Sequence, residues 1–209
     1  MGFKTFASMN IAIIGNSEIG MAYAKGFALA GHRVYIAWQN SDAKTESTIP
    51  DMLGHVEVCS LEYASAVADL VILATQPKDV REAVYWLGDV RRKVIIDATA
   101  NVHTQEEDLV HTANAIKAIT GSQHLVKMFY TKGYEDQVRP LFGHNPVELI
   151  LVGDSKKAKE ITKIMAVELG INLWYDFGGT DTLPLFNQLT QVLRRNKLAE
   201  KQDVKHATR

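Results

Sequence analysis

An α/β fold built on a doubly wound, mainly parallel sheet is what this sequence predicts. Three observations carry that expectation. Short, continuously apolar runs recur along the chain, helical stretches separate them, and the first run ends in a glycine turn that opens a helix. Continuous apolar runs, as opposed to alternating ones, mark strands covered on both faces. Regular alternation of strand and helix is the pattern of right-handed crossovers on a parallel sheet.

The elements follow in order. Ile11–Ile14 is the first strand. Ile19–Ala30 is a helix rich in small residues that stops at Gly31, a C-cap. Val34–Ala37 is the second strand, and Val56–Val58 fits a short third. Leu61–Ala68 is a short helix before the strand Leu70–Ala74. Pro77–Leu87 opens with a proline, which suits a first helical turn. Val94–Ile96 is the next strand. Glu106–Thr120 carries Leu109, Ala113, Ile116 and Ile119 at helical spacing, and Gly121 follows. Leu125–Phe129 and Leu149–Val152 are strands on either side of the turn-rich stretch Val138–Pro146. Ser155–Leu169 starts on a capping residue and ends at Gly170. Asn172–Phe177 fits an eighth strand, and Thr182–Leu198 is the last helix. Its apolar residues Leu183, Leu185, Phe186, Leu189, Val192 and Leu193 suit either a homodimer contact or a cover for a cleft. The polar end, Glu200–Arg209, is expected to fray.

Composition excludes several classes. A net charge of -1 gives no field for a nucleic-acid partner or an acidic membrane. The single cysteine, Cys59, rules out an internal disulfide and points to a reducing, cytoplasmic setting. No apolar run approaches the roughly 18 residues of a membrane helix. The start, MGFKTFASM, lacks a signal-peptide core, and Phe6 stands where myristoylation wants Ser or Thr. The seven histidines show no metal-ligand spacing, so no metal is expected.

The first strand runs directly into Gly15, Asn16, Ser17, Glu18, Ile19 and Gly20. This is the spacing of a phosphate-binding turn with Ser17 in the second glycine place. The first glycine makes the tight turn, and the last lets the helix pack on the strand. The helix N-terminus then faces the pyrophosphate of a dinucleotide. Ser17 puts a small hydroxyl at the point of closest approach, able to donate to a phosphate oxygen or to push it outward. Gly15→Val is expected to abolish dinucleotide binding with the fold intact. A Rossmann-type dinucleotide-binding unit over residues 1–140 follows, with 141–209 as a small C-terminal α/β annex closing the cleft.

The second strand ends at Trp38, with Gln39, Asn40 and Ser41 after it. An acid there would accept the ribose hydroxyls and mark an NAD enzyme. None stands there, which favours NADP over NAD, although the usual arginine is missing too. Trp38 can stack on adenine or cap the sheet edge.

These pieces resemble the NADP-dependent oxidoreductases of the coenzyme F-420-dependent type, which are related to the oxidoreductase domain of six-transmembrane metalloreductases. IAIIGNSEIG, HRVYIAWQN, SAVADLVILATQP, KVIIDATAN, HLVKMFYT, ELILVGDSKKAKEITKIMAVELG and DFGGTDTLPLFNQLT resemble that family's segments in order. The resemblance implies hydride transfer between a nicotinamide dinucleotide and a flat second cofactor or a small acceptor. It places Asn16, Ser17, Glu18 and Ile19 on the pyrophosphate, and Trp38 and Gln39 at the 2'-phosphate. Thr75, Gln76 and Pro77 fall along the ribose and nicotinamide, and Ala98 and Thr99 near the carboxamide. This chain departs from the pattern at Ser17 for glycine, at Trp38-Gln39 for Ser-Arg, and at Ala100, interposed before Asn101.

Hydride transfer needs positioning and exclusion of water more than an acid–base pair. No catalytic residue is therefore assigned. Ligands in such sheets sit beyond the carboxyl ends of the strands. There lie Thr75, Gln76, Thr99, Asn101, His103, Phe129, Tyr130 and Thr131. His103 is either a proton donor or a surface loop histidine. Lys127 stands in an apolar strand, where an unpaired charge is costly, so a paired structural lysine and a site residue are both open. Asp97 reads as the cap of the turn after its strand. Cys59 reads as core. The expected function is an NADP-linked oxidoreductase with a flavin, deazaflavin or small organic acceptor. The alternatives are a dinucleotide sensor without turnover and an imine or hydroxy-acid reductase. The latter usually carries a long helical C-terminal domain, where only about 60 residues beginning with a strand follow Pro146 here.

Overall fold

The computed structural model describes residues 7–39, 55–99, 109–130, 148–186 and 188. Asn40, Asn101, His103, Thr131, the stretch 138–146 and most of the foreseen last helix lie outside them. The strands are β1 (Asn10–Ile14), β2 (Arg33–Ala37), β3 (Val56–Val58), β4 (Leu70–Leu73), β5 (Val94–Asp97), β6 (Leu125–Tyr130), β7 (Glu148–Val152) and β8 (Leu173–Asp176). They form a single sheet in the order β3-β2-β1-β4-β5-β6-β7-β8. The described helices are α1 (Glu18–Leu29), α2 (Leu61–Val67), α3 (Val80–Tyr85), α4 (Leu109–Thr120) and α5 (Lys156–Glu168).

Both faces of the sheet are covered, which is why its strands read as unbroken apolar runs. Ile11, Ile13, Ile36, Leu70, Ile72 and Ile96 face Tyr23 and Phe27 of α1 and Met165 and Ala166 of α5. The alternate residues Ala12, Ile14, Val71, Leu73 and Ile95 face Leu61 and Ala64 of α2, Val80 and Val84 of α3, and Ile116 of α4. A buried histidine ties the first helical layer together. His32 Nδ1 accepts from the Met9 backbone N–H at 3.2 Å, so the proton sits on Nε2, 2.7 Å from Glu168 at the end of α5.

One strand reverses the expected parallel progression. β7 runs antiparallel to β6, pairing Lys127 with Val152 and Tyr130 with Leu149, and β8 is parallel to β7. A parallel neighbour needs a crossover connection, usually a helix. The sequence between β6 and β7 is turn-rich and shows no helical period. An apolar run reports burial and carries no direction, so the run Leu149–Val152 by itself did not distinguish the two orientations.

The reversal puts the ends of β7 and β8 at the rim where β6 begins. A Cβ on Gly153, just after β7, would lie 2.7 Å from the Leu125 carbonyl oxygen. Asp154 there accepts from Lys117 Nζ at 2.7 Å and from the backbone N–H and hydroxyl of Thr180 at 2.9 and 2.8 Å. Those bonds, with the Lys117 ammonium first, hold its carboxyl well down, from the ordinary 3.8 to about 2. A depressed carboxylate stabilises the fold fully above the unfolded pKa and ceases to as pH falls through the folded one. Asp154 therefore contributes to the acid limb between about pH 4 and pH 2. Asp154→Asn is expected to flatten that part of a urea-midpoint-against-pH curve. An unchanged slope would refute the assignment. The group is half exposed, so the effect is modest.

Candidate dinucleotide site

The strand order turns back on itself once. From β1 the chain moves outward through β2 and β3, and then from β4 outward through β5 and β6. The crevice beyond the carboxyl ends of β1 and β4 is thus the switch point, where open α/β sheets take their ligands. An open cavity of about 300 Å³ lies there. Gly15, Asn16 and Ser17 line one side of it, Trp38 and Gln39 another, and Thr75 and Gln76 a third.

The turn is shaped by contacts that leave no room for side chains. Gly15 has φ +123°, and its amide donates to the Ala37 carbonyl at 2.8 Å. A Cβ on Gly15 would lie 2.5 Å from the Ala74 carbonyl oxygen and 2.7 Å from the Thr75 nitrogen. A Cβ on Gly20 would lie 2.6 Å from the Gly15 oxygen. These are the tight turn and the close helix–strand packing that the sequence spacing calls for.

Ser17 is the N-cap of α1, and its hydroxyl oxygen accepts from the Gly20 amide at 3.2 Å. The hydroxyl proton goes to the Ala74 carbonyl at 2.8 Å. The sequence alone left that proton open to a phosphate. The fold uses it to pin the turn to the end of β4.

The residues foreseen from sequence divide into two groups. Gly15, Asn16, Ser17, Trp38, Gln39, Thr75 and Gln76 line the cavity. Glu18, Ile19, Gly20, Pro77, Ala98 and Thr99 do not. Glu18 is an exposed first residue of α1, and Ile19 and Gly20 are buried beneath the turn. Pro77 opens a 3-10 turn, Pro77–Asp79, that leads into α3. Ala98 and Thr99 are fully buried at the end of β5.

Sequence reading missed Ile14, Leu61, Ala74, Asp79, Glu82 and Ala83, all of which line the cavity. Asp79, Glu82 and Ala83 stand three and four residues apart, a spacing that puts them on one side of a helical stretch. That signal was present, but nothing in it told which way the side faces. Glu82 reaches the end of β2, where it accepts a hydrogen bond from the Gln39 side-chain amide.

Deeper in the molecule, Lys127 and Asp97 face each other across β6 and β5. Lys127 Nζ lies 2.9 Å from Asp97 Oδ2 and 3.3 Å from the Thr99 hydroxyl oxygen. Asp97 Oδ1 accepts from the Thr99 hydroxyl at 2.5 Å and the Thr99 amide at 3.1 Å, which caps the turn after β5. The ion pair is 1% and 0% exposed, so Lys127 serves the interior there. Cys59 is buried too, and desolvation, then the Glu57 carboxylate, push its thiol up to about 12. That thiol is no nucleophile at neutral pH. No described helix is long and apolar enough to cross a membrane.

Residues 10–101 match the family model for coenzyme F-420-dependent NADP oxidoreductases. None of the curated proteins matches the sequence. Among solved structures, one from Arthrobacter sp. FB24, provisionally named an F-420-dependent NADP-reductase, superposes with a TM-score of 0.75 at 21% identity, over 93% of this chain and 96% of its own. A hypothetical protein from Sinorhizobium meliloti gives a TM-score of 0.68 at 23% identity, over 83% of this chain and 86% of its own. An imine reductase from Aspergillus terreus in complex with NADPH4 and dibenz[c,e]azepine gives 0.66 at 13% identity, over 93% of this chain but 64% of its own. At these identities the structures establish a shared fold, that of a Rossmann-like mostly parallel sheet. Over residues 10–101, less than half of its 209 residues, the chain is similar to the coenzyme F-420-dependent NADP oxidoreductases.

Proposed function

We propose that the protein is an oxidoreductase that moves a hydride between a nicotinamide dinucleotide and a flat acceptor: a deazaflavin, a flavin or a small organic molecule. The observation that carries this is the cavity at the β1/β4 switch point, walled by the glycine turn as far as Ser17, the N-cap of α1, and by the ends of β2 and β4. The donor set fits a dinucleotide. The turn and the first turn of α1 suit the pyrophosphate, since an α-helix N-terminus favours negative charge. Trp38 offers an aromatic face for the adenine. Gln39 and Glu82 offer polar groups at the adenosine ribose, and Thr75 and Gln76 lie along the path toward the nicotinamide. On this reading residues 1–140 are the dinucleotide half and residues 141–209 a small annex to it.

A bound nicotinamide supplies or takes up the hydride. The chain's own part is to hold it: Gly15 keeps the backbone close, Ser17 fixes the turn to β4, and the Asp97–Lys127–Thr99 cluster stiffens the end of β5. The family's dinucleotide is NADP(H), and two of the superposing structures hold NADPH and NAD+ respectively.

The test uses the full chain. NADPH and NADH are titrated by quenching of tryptophan fluorescence, and turnover is followed as loss of reduced nicotinamide absorbance over flavin, 5-deazaflavin and cyclic imine acceptors. Binding followed by oxidation with at least one acceptor is the expected result. Binding without turnover of any acceptor would favour a sensor, and binding of neither dinucleotide would overturn the reading.

A further inference from the structure

The end of β2 carries no acid, which on sequence grounds points to a phosphorylated adenosine ribose. The structure brings acids to that place from another element. Asp79 and Glu82 line the same cavity as Gly15, Asn16, Trp38 and Gln39, and no lysine or arginine is among the described residues that line it. Glu82 does not merely lie nearby. It accepts the side-chain N–H of Gln39, the residue that directly follows Trp38. Its carboxylate therefore meets the side chain that follows the β2 end, where this type of fold meets the ribose hydroxyls.

Ribose hydroxyls and a 2'-phosphate ask opposite things of such a place. A diol presents O–H donors, which a carboxylate accepts. A phosphate monoester presents only acceptors and brings nearly two further negative charges, which a carboxylate repels and a guanidinium would hold. We infer that Glu82 determines specificity at the adenosine ribose: offered from α3 to the place that β2 leaves without an acid, it accepts the ribose hydroxyls and turns the site toward NAD(H) and away from NADP(H). Gln39 is the positioning residue, since its amide holds the carboxylate against the β2 end. This inference rests on the dinucleotide reading of the cavity.

The experiment measures the dissociation constants of NADH and NADPH for the full chain and for Glu82→Gln, at low and at moderate salt. The unmodified protein is expected to bind NADH about tenfold or more tighter than NADPH. Glu82→Gln is expected to shrink that ratio at least about fivefold, chiefly by admitting NADPH. Added salt should narrow the gap in the unmodified protein, because screening weakens the repulsion, and should move it less in the variant. A fold defect would weaken both ligands together and leave the ratio where it was. The inference fails if NADPH binds as tightly as NADH to the unmodified protein, or if Glu82→Gln leaves the ratio and its salt dependence unchanged. Binding of neither ligand overturns the dinucleotide reading itself, and the ribose assignment falls with it.

Discussion

Gly15→Ala is expected to reduce dinucleotide affinity by about a hundredfold or more and to lower stability at the same time. The sequence alone suggested that a side chain here would spare the fold. The geometry argues otherwise. A Cβ would sit 2.5 and 2.6 Å from the oxygen and carbon of the Ala74 carbonyl, and these are backbone atoms at the end of a buried strand. They cannot swing aside as a side chain can. The residue's φ of +123° adds strain for any residue with a Cβ. Backbone strain and overpacking are each of order 1–3 kcal/mol. Relief requires the turn to move off β4, which also breaks the Ser17–Ala74 bond and shifts α1 from the cavity. Titration of the dinucleotide and urea unfolding check both halves. Affinity and midpoint near those of the unmodified protein would show that the turn does not pack as described.

Lys127→Ala should destabilise the fold by about 3–5 kcal/mol, as expected when one partner of a buried ion pair is removed. Asp97 is fully buried, and the alanine variant would leave its carboxylate without the ammonium 2.9 Å away. Its bonds from Thr99 would remain, and neither carries a full charge. The combined variant Asp97→Asn with Lys127→Met should recover most of the loss, because it removes both charges and keeps the volume. Equilibrium urea unfolding near pH 7 reads the difference. A single variant within about 1 kcal/mol of the unmodified protein would mean that the pair is not the closed unit seen here. Because the cluster sits beneath the end of β5, the loss is expected in the whole fold and only secondarily in the cavity.

Much of the fold was legible because burial writes itself into the sequence. Each of the apolar runs Ile11–Ile14, Leu70–Ala74 and Leu149–Val152 became a strand, and Gly15 and Gly20 stand where their spacing said the turn must close. Direction was less legible. The run Leu149–Val152 looks the same read either way, and only the connection before it tells how it enters the sheet. Side-chain aim was least legible of all. Ser17 was identifiable as a small residue in a tight turn, but whether its proton faces a ligand or the Ala74 carbonyl depends on where β4 lies. Glu82 resembled any surface acid on a short helix. What gives it a place in the cavity is the distance between α3 and the end of β2, a tertiary fact that no local pattern contains.

The reversal at β7 also gives the molecule two ends with separate uses. The mouth of the cavity opens where β1 and β4 finish, while Gly153 and Asp154 lie at the far rim, beside the start of β6. Lys156 and Lys157, exposed at the beginning of α5, belong to that far rim. A reporter dye or a solid support tethered through them would hold the protein by the end opposite its mouth, with ligand approach unobstructed.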